Sequence, residues 1–137
     1  MFIVRKKFHF SSAHRLFSPH LTEEENLRIF GDCANENYHG HNYTLEVAVA
    51  GEIDARTGMV INFDDLKKIV NRVIIARVDH KNLNLDVDFL KGEISTAENM
   101  CCLFWKELEP HFESENASLY EIVLSETDDN VASYRGD

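Results

Sequence analysis

Three histidines, drawn from two places in the chain, have the spacing a metal ion needs. His39 and His41 are separated by one residue and lead into the alternating apolar run Tyr43, Leu45, Val47, Val49. Side chains two apart on a strand share a face, so both imidazoles can reach one ion. His14 closes a second alternating run, Phe8, Phe10, Ser12, His14. If the two runs pair antiparallel, the end of the first lies beside the start of the second, and His14 joins His39 and His41. A lone histidine more often satisfies a local hydrogen bond. Three that converge by strand parity fit an imidazole-only site, which points to zinc among the first-row metals. Three protein ligands leave a coordination position open, the pattern of a catalytic zinc acting as a Lewis acid on a hydroxyl or carbonyl oxygen.

Cys33, six residues before His39, is a candidate thiolate base or nucleophile near that metal. The competing reading is a small buried core residue. Asp79-His80 is a candidate carboxylate–imidazole pair for proton transfer, against a histidine that merely meets a helix C-terminus. Glu126, in Ser125-Glu126-Thr127-Asp128, could accept two parallel N–H bonds from a guanidine-like ring edge, or could be a solvated turn acid. Glu98 fits a capping box with Ser95. Cys101 and Cys102 read as core positions of a helix.

The elements that must position these groups follow from periodicity. Residues 2–14 and 41–50 read as strands. The polar connection 15–38 is long, with a short helix over 22–30, and long connections in compact domains are usually functional. Leu66, Ile69, Val70, Val73 and Ile74 form one apolar stripe, which predicts a helix from about Asp64 to Val78. Residues 79–92 read as irregular. A second helix starts at Ser95 or Thr96, buries Met100, Phe104 and Leu108, and stops at Pro110. Strands follow over 117–125 and 130–135. The order β-β-α-α-β-β predicts an α+β fold: a four-stranded antiparallel sheet with two helices on one face. Apolar residues on both strand parities (Ile3 and Phe8, Leu45 and Ala48, Ile122 and Val123) would leave the other face exposed, which predicts an oligomer.

With 137 residues the chain is expected to form one domain, 1–137. A formal net charge of -10 excludes general nucleic-acid binding, which needs clustered Lys and Arg. It leaves room for an anionic small molecule held by a metal and a few local cations, for which Arg15 and Lys81 are candidates. No run is long enough for a membrane span, the N-terminus lacks a signal-peptide core, and three cysteines make no disulfide framework. A cytoplasmic setting is expected.

Taken in order, Phe10-Ser11-Ser12-Ala13-His14-Arg15-Leu16, Gly31-x-Cys33, His39-Gly40-His41-Asn42-Tyr43, Gly58-Met59-Val60-Ile61-Asn62-Phe63, Val78-Asp79-His80-Lys81-Asn82-Leu83-Asn84, Ser95-Thr96-Ala97-Glu98-Asn99 and Glu126-Thr127 resemble the 6-pyruvoyl-tetrahydropterin synthase family. That family also includes the 6-carboxytetrahydropterin synthases of queuosine (deazapurine) biosynthesis. The resemblance runs nearly end to end. It implies a tunnelling fold (T-fold), in which three subunits join their sheets into a barrel and two trimers stack into a homohexamer. It implies zinc on His14, His39 and His41, and Cys33 as the proton-abstracting base, partnered by Asp79 and His80 across a subunit interface. Glu126 would anchor the pterin, assisted by Thr96 and Glu98. The implied reaction converts 7,8-dihydroneopterin triphosphate to 6-pyruvoyl-tetrahydropterin with loss of triphosphate. Five residues separate Cys33 from His39. That gap resembles the pyruvoyl-forming synthases, whereas the carboxy-forming enzymes usually show three. The alternatives are the carboxy-forming reaction on the same substrate and a non-catalytic zinc- or pterin-binding oligomer. A zinc hydrolase would want an acid beside the metal, and Glu46 has the wrong strand parity for it.

Overall fold

A computed structural model of the chain describes residues 1–114 and 116–137. Strands β1 (Phe2–His14) and β2 (His39–Gly51) pair antiparallel along their whole length, from Phe2 opposite Gly51 to His14 opposite His39. Period-2 alternation fixes this register, because a slip of one residue would turn Phe8, Phe10, Tyr43 and Leu45 out of the core. β4 (Ala117–Ser125) adds antiparallel to β2, with a bulge between Ala48 and Val49, and β5 (Val131–Tyr134) adds to β4.

The sheet has five strands rather than the expected four. β3 (Lys81–Asn82) pairs parallel with β1 at Ser12 and Ala13, giving the order β3-β1-β2-β4-β5. Backbone bonds hold it there: the His80 N–H donates to the Ser11 carbonyl (2.6 Å) and the Leu83 N–H to the Ala13 carbonyl (2.8 Å). A two-residue strand carries no alternation, so the sequence pattern could not announce it. The single-chain sheet is open, with β3 and β5 as its edges.

Among the described residues three helical stretches accompany the sheet, the second of them built from α2 and α3. α1 (Glu23–Phe30) lies in the long first connection, and Thr22 and Glu25 close a capping box at its start. The helix expected from the 66–74 stripe forms, capped by Asn62. It runs as α2 (Phe63–Val70), a π turn (Asn71–Ile75) and a last helical turn α3 (Ala76–Val78). α4 (Ala97–Leu108) passes into a 3-10 turn containing Pro110. Its N-cap is Thr96, whose hydroxyl accepts from the Asn99 N–H (3.2 Å). The expected Ser95–Glu98 capping box is therefore not formed. The helix starts one residue later, Glu98 is exposed, and Ser95 is turned into the interior.

Leu66, Val70, Ile74, Met100, Phe104 and Leu108 pack on one face of the sheet, each fully buried or nearly so. There Phe10 stacks on Tyr43 (ring centroids 4.7 Å) and meets the edge of Phe104 (6.2 Å). The other face does not carry the broad apolar surface that the strand parities suggested. Arg5, Lys7, His9 and Ser11 of β1 stand opposite Ala48, Glu46, Thr44 and Asn42 of β2. Arg5 pairs with Glu46 (3.1 Å), and Glu121 lies between Arg5 (3.6 Å) and Arg135 (3.0 Å). Ala48 has no exposed surface. Phe2 and Ile53 are exposed at the end of the β1–β2 pair away from the histidines, while others, such as Leu27, Leu85 and Val131, lie scattered over the connections and the β5 edge. Among the described residues no helix is long and apolar enough to cross a membrane.

Candidate metal centre

The opening pair of β2 and the last residue of β1 deliver the three histidines to the helix-covered face of the sheet. His14 lies directly opposite His39, and the ring centroids of His14, His39 and His41 are 4.6, 4.8 and 5.1 Å apart. A fourth donor joins them. Glu126, the first residue beyond β4, continues the parity of Ile122 and Leu124. It brings Oε1 to 2.7 Å from His41 Nε2 and 3.5 Å from His14 Nε2. One donor atom from each of the four side chains lies within 4.8 Å of all the others. Three imidazoles alone were expected; strand parity puts the carboxylate on the same face.

These residues fit a divalent metal ion. Both ring nitrogens of His39 and Nε2 of His41 are buried without a hydrogen-bond partner, since the short His41–Glu126 contact lacks hydrogen-bond geometry. Buried polar atoms left this way are costly unless something else satisfies them. Burial, then the neighbouring His39, push the pKa of His14 down to about 4, and burial, then His41, lower that of His39. Both rings are therefore neutral at pH 7, the state in which imidazole ligates a metal. A carboxylate among neutral imidazoles also leaves local negative charge for a cation to balance.

Cys33 sits on the 3-10 turn Gly31–Ala34, tied to the end of β1 by the Leu16 N–H donating to its carbonyl (2.7 Å). Burial, then Glu126 and Asp32, raise its thiol pKa. The thiol is thus near enough to Glu126 to feel its charge, and in the lone chain it is held protonated. Asp79 and His80 lie elsewhere, at the β3 edge. Asp79 Oδ1 accepts from the Ser11 N–H (2.9 Å) and holds His80 Nδ1 at 3.0 Å. The Ser11 N–H, helped by His80, lowers the Asp79 pKa. His80 has a left-handed backbone (φ 60) and an exposed ring, and lines a groove of about 490 Å³ with Ser11, Gly40 and Asn42. No hydrogen bond joins this pair to Cys33 within the chain among the described residues. Thr96 caps α4, and Glu98 is exposed on its first turn. Arg15 donates to the Ala34 carbonyl (2.9 Å) and stacks over Phe17 (4.5 Å), while Lys81 is exposed on the rim of the His80 groove.

Sequence reasoning passed over the Tyr43 hydroxyl, which lies 3.4 Å from His14 Nε2. Its parity with His39 and His41 was the available signal. It likewise missed the carboxylate of Glu126 as a member of the donor set.

Residues 3–137 match the family model described as 6-pyruvoyl tetrahydropterin synthase. The chain belongs to this family. It is 45% identical over 134 residues to a 6-pyruvoyl tetrahydrobiopterin synthase of Pongo abelii, covering 98% of this chain and 91% of the relative. It is 34% identical over 99 residues to a 6-carboxy-5,6,7,8-tetrahydropterin synthase of Haemophilus influenzae, covering 70% of this chain and 62% of that one. The solved structure of the Caenorhabditis elegans 6-pyruvoyl tetrahydropterin synthase superposes with a TM-score of 0.92 at 38% identity, over 99% of this chain and 96% of that one. As a member of this synthase family, the chain shares its α+β fold, here an open five-stranded sheet in the single chain.

Proposed function

We propose that this chain is a zinc-dependent 6-pyruvoyl tetrahydropterin synthase that acts on 7,8-dihydroneopterin triphosphate and releases triphosphate. The observation that carries the reading is the convergence of His14, His39, His41 and Glu126, in a chain whose stronger matches are relatives named for the pyruvoyl product. Imidazole donors suit zinc, and with His14, His39 and His41 as its three ligands the Glu126 carboxylate stays free for the substrate. Bound there, zinc would supply Lewis acidity to the oxygens of the substrate side chain and so acidify the adjoining C–H bonds.

The chain's own residues supply the rest. Glu126 turns its carboxylate to the pterin edge and accepts N–H bonds from the amino group and ring nitrogen, with Thr96 and Glu98 alongside. Cys33 removes a side-chain proton. Its thiolate needs a nearby positive charge to offset burial, Glu126 and Asp32. His80, steered by Asp79, carries protons between side chain and ring. No hydrogen bond joins the pair to Cys33 in one chain among the described residues, and the complete site takes His80 from a neighbouring copy in a homohexamer. Triphosphate leaves with the electrons of its C–O bond. The side chain is oxidised by as much as the ring is reduced, so no external redox cofactor enters.

The 34% identity to a carboxy-forming relative supports a second reading: the same substrate carried to 6-carboxytetrahydropterin. Both readings require the metal. Stripping it with a chelator should abolish triphosphate release, and added zinc should restore it. Undiminished release by metal-free protein would contradict both.

A further inference from the structure

Ser95 was expected to cap α4 and does not; its side chain and carbonyl are committed elsewhere. His14 Nδ1 lies 3.0 Å from the Ser95 carbonyl oxygen and 3.2 Å from the Ser95 hydroxyl. Ser95 is 3% exposed and His14 1%. The hydroxyl donates to the Arg15 carbonyl (3.2 Å) and accepts from Asn84 Nδ2 (3.3 Å). Asn84 grips the peptide of Arg15 from both sides: Oδ1 accepts the Arg15 N–H (2.9 Å) and Nδ2 donates to the Arg15 carbonyl (3.3 Å). The residue after His14 is thus fixed by Asn84, and the ring of His14 by Ser95.

We infer that Ser95, held by Asn84, is the positioning residue that sets the tautomer and aim of His14. A carbonyl oxygen only accepts, so Nδ1 must carry the proton that faces it. The hydroxyl has already given its single proton to Arg15, so it too can only accept from Nδ1. Nε2 is left as the lone-pair nitrogen. It is the atom that faces Glu126 and the Tyr43 hydroxyl at the centre of the donor set. A ligand histidine whose other nitrogen is fixed in this way gains both orientation and basicity. The same contacts bind the end of β1 to the segment entering α4, so the metal ligand and the candidate pterin residues Thr96 and Glu98 share one support. Cys33, Asp79 and His80 take no part in it. The inference rests on the metal reading for its functional meaning, while the tautomer stands without it.

Two readouts separate the inference from that reading. In the metal-free protein, long-range nitrogen–proton correlation spectra should place the His14 proton on Nδ1; a proton on Nε2 would overturn the assignment. Zinc affinity is then read by competition with a chromophoric chelator. Ser95→Ala keeps the carbonyl and removes only the hydroxyl's hold, so it should weaken affinity by about 10-fold, the lower end for loss of an outer partner; Asn84→Ala should weaken it in the same direction, and Ser95→Thr, which keeps a hydroxyl, should stay near wild type. Circular dichroism of each metal-free variant selects those that remain folded. Wild-type affinity retained by folded Ser95→Ala and Asn84→Ala would overturn the inference and leave the metal reading intact. A wild-type protein that fails to take zinc would instead sink the metal reading.

Discussion

His14 is nearly sealed from solvent, and its pKa is pushed from 6.5 to about 4, chiefly by burial and then by His39. In the unfolded chain the ring protonates near its ordinary value, so between about 6.5 and about 4 the unfolded state binds the extra proton. A lowered folded-state pKa is therefore stability that is present above 6.5 and lost as pH falls toward 4. The metal-free chain should lose up to a few kcal/mol over that window, read as a falling thermal midpoint. His14→Gln should flatten the slope, and an unchanged slope would show that other groups dominate. Cys33 calls for a different test because the proposal gives it chemistry and no ligand role. Cys33→Ala should keep a full complement of zinc by elemental analysis while turnover falls by about 100- to 10,000-fold. Loss of zinc together with activity would make Cys33 a ligand.

The strands were the most legible elements. Alternation from Phe8 to His14 and from His39 to Val49 predicted the pairing of β1 with β2, and the register sets His14 opposite His39 as that pairing requires. The stripe from Leu66 to Ile74 predicted the helix but not its π turn at Asn71–Ile75, because a one-residue widening barely disturbs a stripe. β3 was illegible because backbone bonds from His80 and Leu83 to β1 create it, and side-chain pattern plays no part. Ser95 misled because a serine three residues before a glutamate is a cap signature; burial against His14 is a tertiary fact that local spacing cannot carry. Phe104 shows how firmly α4 is seated. It has no exposed surface and meets Phe10 at 6.2 Å and Phe89 at 5.9 Å. Phe104→Ala should cost about 3–5 kcal/mol in urea unfolding of the metal-free chain. A loss under about 1 kcal/mol would mean that the helix–sheet seam repacks far better than core deletions usually allow.

At the scale of the whole molecule, the lack of a hydrogen bond between Cys33 and the Asp79–His80 pair among the described residues has the largest consequence. If two copies complete each site, Cys33→Ala and His80→Ala should each be inactive alone. When the two are co-expressed, sites that take Cys33 from one variant and His80 from the other should recover a fraction of wild-type turnover. Native mass spectrometry of the same mixture should show species of six times the chain mass containing both variants. Mixed oligomers without recovered activity would place both groups in the chemistry of a single chain, or His80 outside the chemistry altogether. The most direct test of the account is the product itself. Zinc-loaded protein is incubated with 7,8-dihydroneopterin triphosphate and the pterin formed is identified by mass spectrometry. The expected product is 6-pyruvoyl-tetrahydropterin, with one triphosphate released for each substrate consumed. A 6-carboxy product with acetaldehyde, or no consumption with zinc bound, would contradict it.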